Sequence, residues 1–408
     1  MSVLEELLKK HCPDGVEYVP LWSVTIWDKK FNSVDKDKQK TTIKYKYYLA
    51  DELKELVVEN GDVKILTTNI SNLFTLEKLV SNSLSYGEIV SIPWGGNPIV
   101  QYYKGKFITS DNRIATSIDV NKLDNKFLYY VLINKLDLIS SFYRGAGIKH
   151  PDMSKVLDII IPLPPIEVQK EIVGILDTFT KYQDLLNREL ELRKKQYEYY
   201  RDKLLTFNDE VEYKFLGEVC NVQSGGTPLK TKVEYWENGN IKWLGSGVCK
   251  NKKTVDEITD YISELGLTKS SAKLMKKNTT LIALVGATIG KVAFLPFEAA
   301  INQNIAGVYP IDTKKLNPSF VYYICTTYYK DFINLGNGKL TMANLSFVRN
   351  LKIPIPPLEE QERIVKILDQ FDTLCNDITR GLPAEIELRK KQYEYYRDKL
   401  LTFKEKKV

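Results

Sequence analysis

The sequence predicts a mixed α/β (α+β) chain in which two globular domains are joined by two long antiparallel coiled-coil helices, with pseudo-twofold symmetry. Three observations predict it. Residues 191–207, ELRKKQYEYYRDKLLTF, recur unchanged at 387–403. Residues 159–179, IIIPLPPIEVQKEIVGILDTF, align with 351–371, LKIPIPPLEEQERIVKILDQF. The stretches between these copies diverge and read as short strands with a few helical patches. The expected order is a variable domain at 1–160, a helical segment at 161–210, a variable domain at 211–352 and a helical segment at 353–408.

The first variable domain carries β-rich runs such as GEIVSIPW and a helical patch, NKFLYYVLINKLDLISSF. The leading LEELLKK reads as a helix that packs beside the terminal LLTFKEKKV. Each helical segment opens on IPLPP or IPIPP, where the prolines hold the backbone extended. Helix formers then run without proline to Phe207. Alternating steps of three and four back from Phe207 meet Leu204, Tyr200, Tyr197, Arg193, Leu190, Leu186, Gln183, Phe179, Leu176 and Ile172. That is a coiled-coil seam on a helix of about 60 Å. In the second copy the seam includes Phe371, Ile386, Tyr393, Tyr396 and Leu400, with Arg389 standing where Arg193 stands in the first. Four extra residues there predict an added helical turn, with Gly381 and Pro383 as breaking points. These seam residues are the candidates for helix pairing and partner docking. Arg193 and Arg389 are expected to pair with carboxylates of the opposing helix or of a partner.

The second variable domain offers Ser224, Gly225, Gly226 and Thr227 before Pro228, then Lys230, Lys232 and Trp243. Glycines let backbone approach a phosphate or base edge, and lysines neutralise phosphates. Asn302, Gln303 and Asn304 stand where the first domain has Asp111, Asn112 and Arg113, and amide and Arg side chains suit base reading. Arg144 and Lys149 flank Gly145 and Gly147 in the first domain, and Lys339 lies beside Gly336 and Gly338 in the second. An ordinary turn over a Trp-lined core accounts for the glycine loop equally well.

Composition limits the chemistry. The 408 residues are 43% hydrophobic, enough for sizeable cores, and carry a net charge of +6, which permits nucleic-acid binding without requiring it. With two histidines and five cysteines lacking any CxxC, the chain has little material for a metal site or a disulfide framework. No cofactor is expected. The start MSVLEELLKK is no signal peptide and no apolar run spans a membrane, so a cytoplasmic protein is expected. GATIGK (286–291) and GNGKLT (336–341) miss the phosphate-loop spacing. Neither an amino-methyltransferase nor a nuclease signature is present, so no active site is predicted.

Two variable domains separated by near-identical helices, each opened by I-P-(L/I)-P-P-(I/L)-E-x-Q, resemble the specificity subunit of type I restriction–modification enzymes. SGGTP with the following YW and IKW is similar to the opening of that family's target-recognition domains. The first domain departs from it, with WDKKFNSVDKDKQKTTIKYKYY in that place. The resemblance implies a non-catalytic subunit whose two domains each bind half of an asymmetric, bipartite site in double-stranded DNA. It implies helices that set the spacing and dock two methyltransferase subunits, with restriction subunits joining the assembly. The rival reading is a repeat-built scaffold whose variable domains bind other proteins.

Overall fold

The proline pairs determine where the helices start. Pro164 and Pro165 end a strand, Ile160–Leu163, and release the chain into a 39-residue helix, Ile166–Leu204. Pro354 ends the strand Lys352–Pro354, and Pro356 and Pro357 lead into the helix Leu358–Asn376. The computed structural model describes residues 3–208, 210–335 and 342–406. Two compact units result: Met1–Asp184 with Leu388–Val408, and Leu185–Glu387. The units therefore cut across the four sequence segments. Each combines one variable domain with the opening of its own helical segment and part of the other.

In the first unit, Glu17–Pro20 pairs antiparallel with Ile160–Leu163, so the variable segment leaves and re-enters at one place. Between lies a six-stranded mixed sheet. Its order is Thr25–Trp27, Asn112–Ser117, Ser85–Pro93, Gln101–Thr109, Val63–Leu66, Leu73–Thr75. Helix Asn125–Asn134 covers it, capped by Asp124, whose carboxylate accepts from the Lys126 and Phe127 amides. Trp27, Val90, Ile92, Phe127 and Leu128 share one core with Val168, Ile172 and Leu176 of the long helix. Each such buried aliphatic side chain contributes about 2 kcal/mol. Leu4 of the first helix, Val3–His11, enters the same core, as do Leu401 and, at its edge, Leu400 and Phe403. Tyr18 donates to the Phe403 carbonyl at 3.0 Å, and Val16 bridges Glu405. Gly15, at φ +111°, has no room for a side chain because the backbone of residues 404–406 passes against it.

The second unit repeats the entry ribbon, Tyr213–Phe215 against Lys352–Pro354. Its strands divide into two four-stranded sheets. One runs Cys220–Ser224, Ile305–Pro310, Thr280–Ala283, Val292–Phe294; the other Asp260–Ile262, Ile241–Leu244, Ala299–Ile301, Lys273–Met275. Helix Pro318–Thr327, with Asn317 as cap and proline at its start, buries Phe320, Tyr322 and Tyr323 against the first sheet. Ile364 and Leu368 complete that core.

The two helical segments differ in one respect. The first is uninterrupted, whereas the second stops at Asn376 and resumes as Leu382–Leu400. The four extra residues thus form a turn, not the added helical turn expected from the stutter, and Ile378 points into solvent. The cause is local. Asp377 accepts from the Thr379 and Arg380 amides, and Gly381 sits where an added Cβ would lie 2.3 Å from the Thr373 carbonyl oxygen. Pro383 falls in the first turn of the new helix, where no amide hydrogen is needed. Among the described residues no helix is long and apolar enough to cross a membrane.

Candidate nucleic-acid interface

Both units hold their helices with the same parts. The glutamine that closes each proline motif is fully buried. Gln169 accepts from the Asp124 amide and donates to the Lys122 and Pro164 carbonyls at 2.7–2.8 Å. Gln361 does the same with Asn317, Lys315 and Pro356 at 2.8–2.9 Å. About two helical turns later in each copy, a carboxylate receives a tyrosine hydroxyl and a lysine. Asp177 takes Tyr130 at 2.6 Å and Lys126 at 2.7 Å, and Asp369 takes Tyr323 and Lys253.

The seam closes on aromatic rings. In the first unit Phe179 stacks on Tyr396 at 5.5 Å and leans on Tyr393 at 6.5 Å, while Arg389 lies over Tyr182. Residue numbers rise on one strand of the pair as they fall on the other, so the helices run antiparallel within the unit. In the second unit Phe371 stacks on Tyr200 at 5.7 Å and meets Tyr197 at 6.1 Å. Leu204 packs at the edge of the second core, Leu186 is buried, and Leu190 and Ile386 are half-buried. Arg193 bonds Gln196 and Glu189 on its own helix, and Arg389 bonds Gln392.

Away from the helices the units diverge. In the second unit three separate sequence segments converge. The Trp243 indole donates to the Gly226 carbonyl at 3.0 Å, and Thr227 donates to the Gln303 amide oxygen at 2.8 Å. A Cβ on Gly225 would lie 1.8 Å from the Ile301 carbonyl oxygen, and one on Gly226 would lie 1.9 Å from the Ser271 hydroxyl. Only glycine fits a backbone laid this closely on the strand below. Ser224 and Asn304 are half-buried, and Gln303 is exposed. Asn302 is buried and accepts from the Asn304 amide. Lys230 is exposed beside the ring of Trp236, which meets Trp243 edge-on. Lys339 lies outside the described residues, as does GNGKLT.

In the first unit Asn112 and Arg113 turn inward. The Asn112 amide is fully buried and donates to the Leu66 and Thr67 carbonyls. Arg113 stacks over Trp94 at 4.2 Å, pairs with Asp111 at 3.0 Å, and lies 3.8 Å from Asp28. Burial raises the Asp28 carboxyl to about 6, against the Ile114 amide and the Arg113 charge that draw it down. As the structure stands, these two side chains shape the fold beneath the surface. Arg144 and Lys149 are exposed, on a ribbon that brings His150 opposite Arg144. Trp94 and His150 were not among the sequence candidates. Histidine was set aside for its scarcity, and nothing in the order of residues joins 94 to 150. The roles of Gln169, Gln361, Asp177 and Asp369 were also missed, although each pair recurs at the repeat offset. Among the described residues no group of three or more His, Cys, Asp or Glu is placed to hold a metal ion.

Each unit thus sets a different variable fold on one repeated anchorage. The sequence matches the type I restriction modification DNA specificity domain over residues 29–193 and 208–388. It is 40% identical over 309 residues to the specificity subunit of the type I restriction enzyme EcoR124I/EcoR124II of Escherichia coli, covering 72% of this chain and 75% of that one. A Haemophilus influenzae chain named as a type I restriction enzyme specificity subunit is 35% identical over 335 residues, covering 78% and 83%. The fold is that of the type I S subunit from M. genitalium, with a TM-score of 0.60 at 18% identity, over 95% of this chain and 96% of that one. The chain belongs to the family of type I restriction–modification specificity subunits. It is thus the DNA-specificity component of such a system and not one of its enzymes.

Proposed function

We propose that each unit reads one half of an asymmetric, bipartite site in double-stranded DNA. In this reading the helical segments set the spacing and dock two methyltransferase subunits, and restriction subunits join that assembly. The observation that carries it is the contrast within the chain: the buried glutamine, the tyrosine–carboxylate bond and the ring contacts of the anchorage repeat, while the sheet plans of the two variable domains differ. Two different tips fit two different half-sites.

The docking claim rests on surface that pairing does not use. Leu192 and Leu388 are 56% and 59% exposed, and Tyr199 and Tyr395 are 61% and 62% exposed. These residues are the same in both copies although the seam leaves them outside. Equal apolar surface offered twice suits two copies of one partner.

The experiment is the mass of the complex formed on co-expression with a cognate methyltransferase, followed by selection from randomised duplex DNA. Two methyltransferases per chain and two unlike half-sites are expected. One methyltransferase, or none, would remove the docking claim. Binding that is indifferent to salt would remove phosphate contact, because phosphate-driven affinity falls steeply with ionic strength.

A further inference from the structure

His150 is exposed, in the ribbon of the first unit that pairs it with Arg144. Its ring packs on Trp94 with centroids 5.1 Å apart, and its Nδ1 is 2.7 Å from the Trp94 carbonyl oxygen. A carbonyl oxygen only accepts, so Nδ1 carries the hydrogen and donates. In the neutral ring Nε2 then holds a lone pair, and the exposed imidazole presents a hydrogen-bond acceptor.

That acceptor has a rigid mount. The Trp94 amide donates to the Asp111 carbonyl at 2.9 Å, and the Gly96 amide donates to the Lys149 carbonyl at 3.1 Å. Tyr143 donates to the Pro93 carbonyl at 2.7 Å. A Cβ added at Gly95 would lie 2.8 Å from an Ile148 methyl and 3.3 Å from the His150 ring, so the loop passes close against both. Beneath the indole, Arg113 is held by Asp111 and Asp28. Three loops are thereby locked to one another, and His150 inherits their geometry.

We propose that His150 is a specificity-determining residue of the first unit, its Nε2 accepting from the exocyclic amino group of cytosine or adenine in the major groove. Arg113 is the positioning residue behind it. Those two amino groups are the donors that the major groove offers to an acceptor. The inference rests on the DNA-reading role proposed above, and it names the group read and the atom that reads it.

The test is selection from randomised duplex DNA by the full chain in its methyltransferase complex, comparing wild type with His150→Ala, His150→Gln and Arg113→Lys. The wild type selects cytosine or adenine at one position, and the base recovered says which. His150→Ala loses about fivefold in preference at that base pair alone, the scale of a single contact. His150→Gln, whose Oε1 accepts, recovers part of the preference. Arg113→Lys weakens the same position, because lysine lacks the planar fork that stacks on an indole. The second half-site stays unchanged throughout and serves as the control. Unchanged preference in His150→Ala overturns the inference, and so does loss of the whole first half-site with no position singled out. A wild-type complex that selects no sequence overturns the DNA-reading role itself, a result distinct from either.

Discussion

In the first unit a buried amide, Gln169, ties the ends of three backbone segments together, and in the second Gln361 ties the equivalent three with bond lengths that agree within about 0.2 Å. The tips allow no such pairing of residues. One unit builds on a six-stranded sheet, with a buried arginine and aspartate under a half-buried tryptophan and an exposed aspartate beside them. The other lays a glycine loop on a strand and pins it to a tryptophan and a glutamine. The difference teaches where the chain tolerates change. Contacts that hold a helix need one geometry and repeat; contacts that face solvent carry the identity of each unit and differ.

The strongest way to break this comparison is to remove the glutamines. Gln169→Ala and Gln361→Ala each leave an amide and two carbonyls unpaired in the interior, at a cost of about 4 kcal/mol. Hydrogen exchange, read separately for residues of each unit, should show one unit opening in each variant by about the same amount. Unequal losses would mean that the clamps are equivalent in geometry only.

A sharper contrast concerns pH, because among the described residues Asp28 of the first unit is the one buried carboxylate. Asp28 has its carboxyl raised from 3.8 to about 6. Between those values the folded unit holds a proton that the unfolded chain has released. Stability of the first unit therefore falls as pH rises from about 4 to 6, by about 3 kcal/mol, and is flat from this group above that. Asp28→Asn abolishes this slope. The comparison of wild type and variant by denaturant unfolding across that range isolates it from other carboxylates. A slope that survives the substitution would assign it elsewhere.

The aromatic hooks come next. Phe179→Ala and Phe371→Ala remove half-buried rings that each stack on one tyrosine and lean on another, and about 2 kcal/mol is expected from each. Local exchange of the helix amides near residues 179 and 371 checks it. The smallest effect belongs to Arg193. Its partners, Glu189 and Gln196, share its own helix and lie near the surface. Arg193→Gln should change stability by less than about 0.5 kcal/mol. It should leave methyltransferase binding intact unless a partner carboxylate takes up the guanidinium, and a mass measurement of the variant complex separates these outcomes.

The repeat made the plan of the molecule legible. Unchanged tails and matched proline motifs located the helices, and steps of three and four named Phe179, Tyr197, Phe371 and Tyr393 as partners before any geometry was known. Ser224–Thr227, Trp243 and Gln303 were legible as polar or glycine-rich segments, and folding brings them together. Asn112 and Arg113 misled because polarity says nothing about direction: they are neighbours on a strand covered on both faces, Asn112 bonding the Leu66 and Thr67 carbonyls and Arg113 lying against Trp94 and Asp28. His150 was invisible for the opposite reason. Its ring is held by a carbonyl 56 residues earlier in the chain. The turn at 377–381 was only half legible, since Gly381 and Pro383 marked a break while four extra residues suited a continued helix.

One feature of the first unit governs the order in which the molecule can be made. Its core is finished by Leu401, and its entry strand is tied by Tyr18 to Phe403. On the ribosome those residues emerge after every residue of the second unit. The unit that begins the chain is therefore the last to close, and until then the core that Leu401 completes stays unfinished. Loss of residues 388–408 would strip the beginning of the protein and leave the middle with its own core whole.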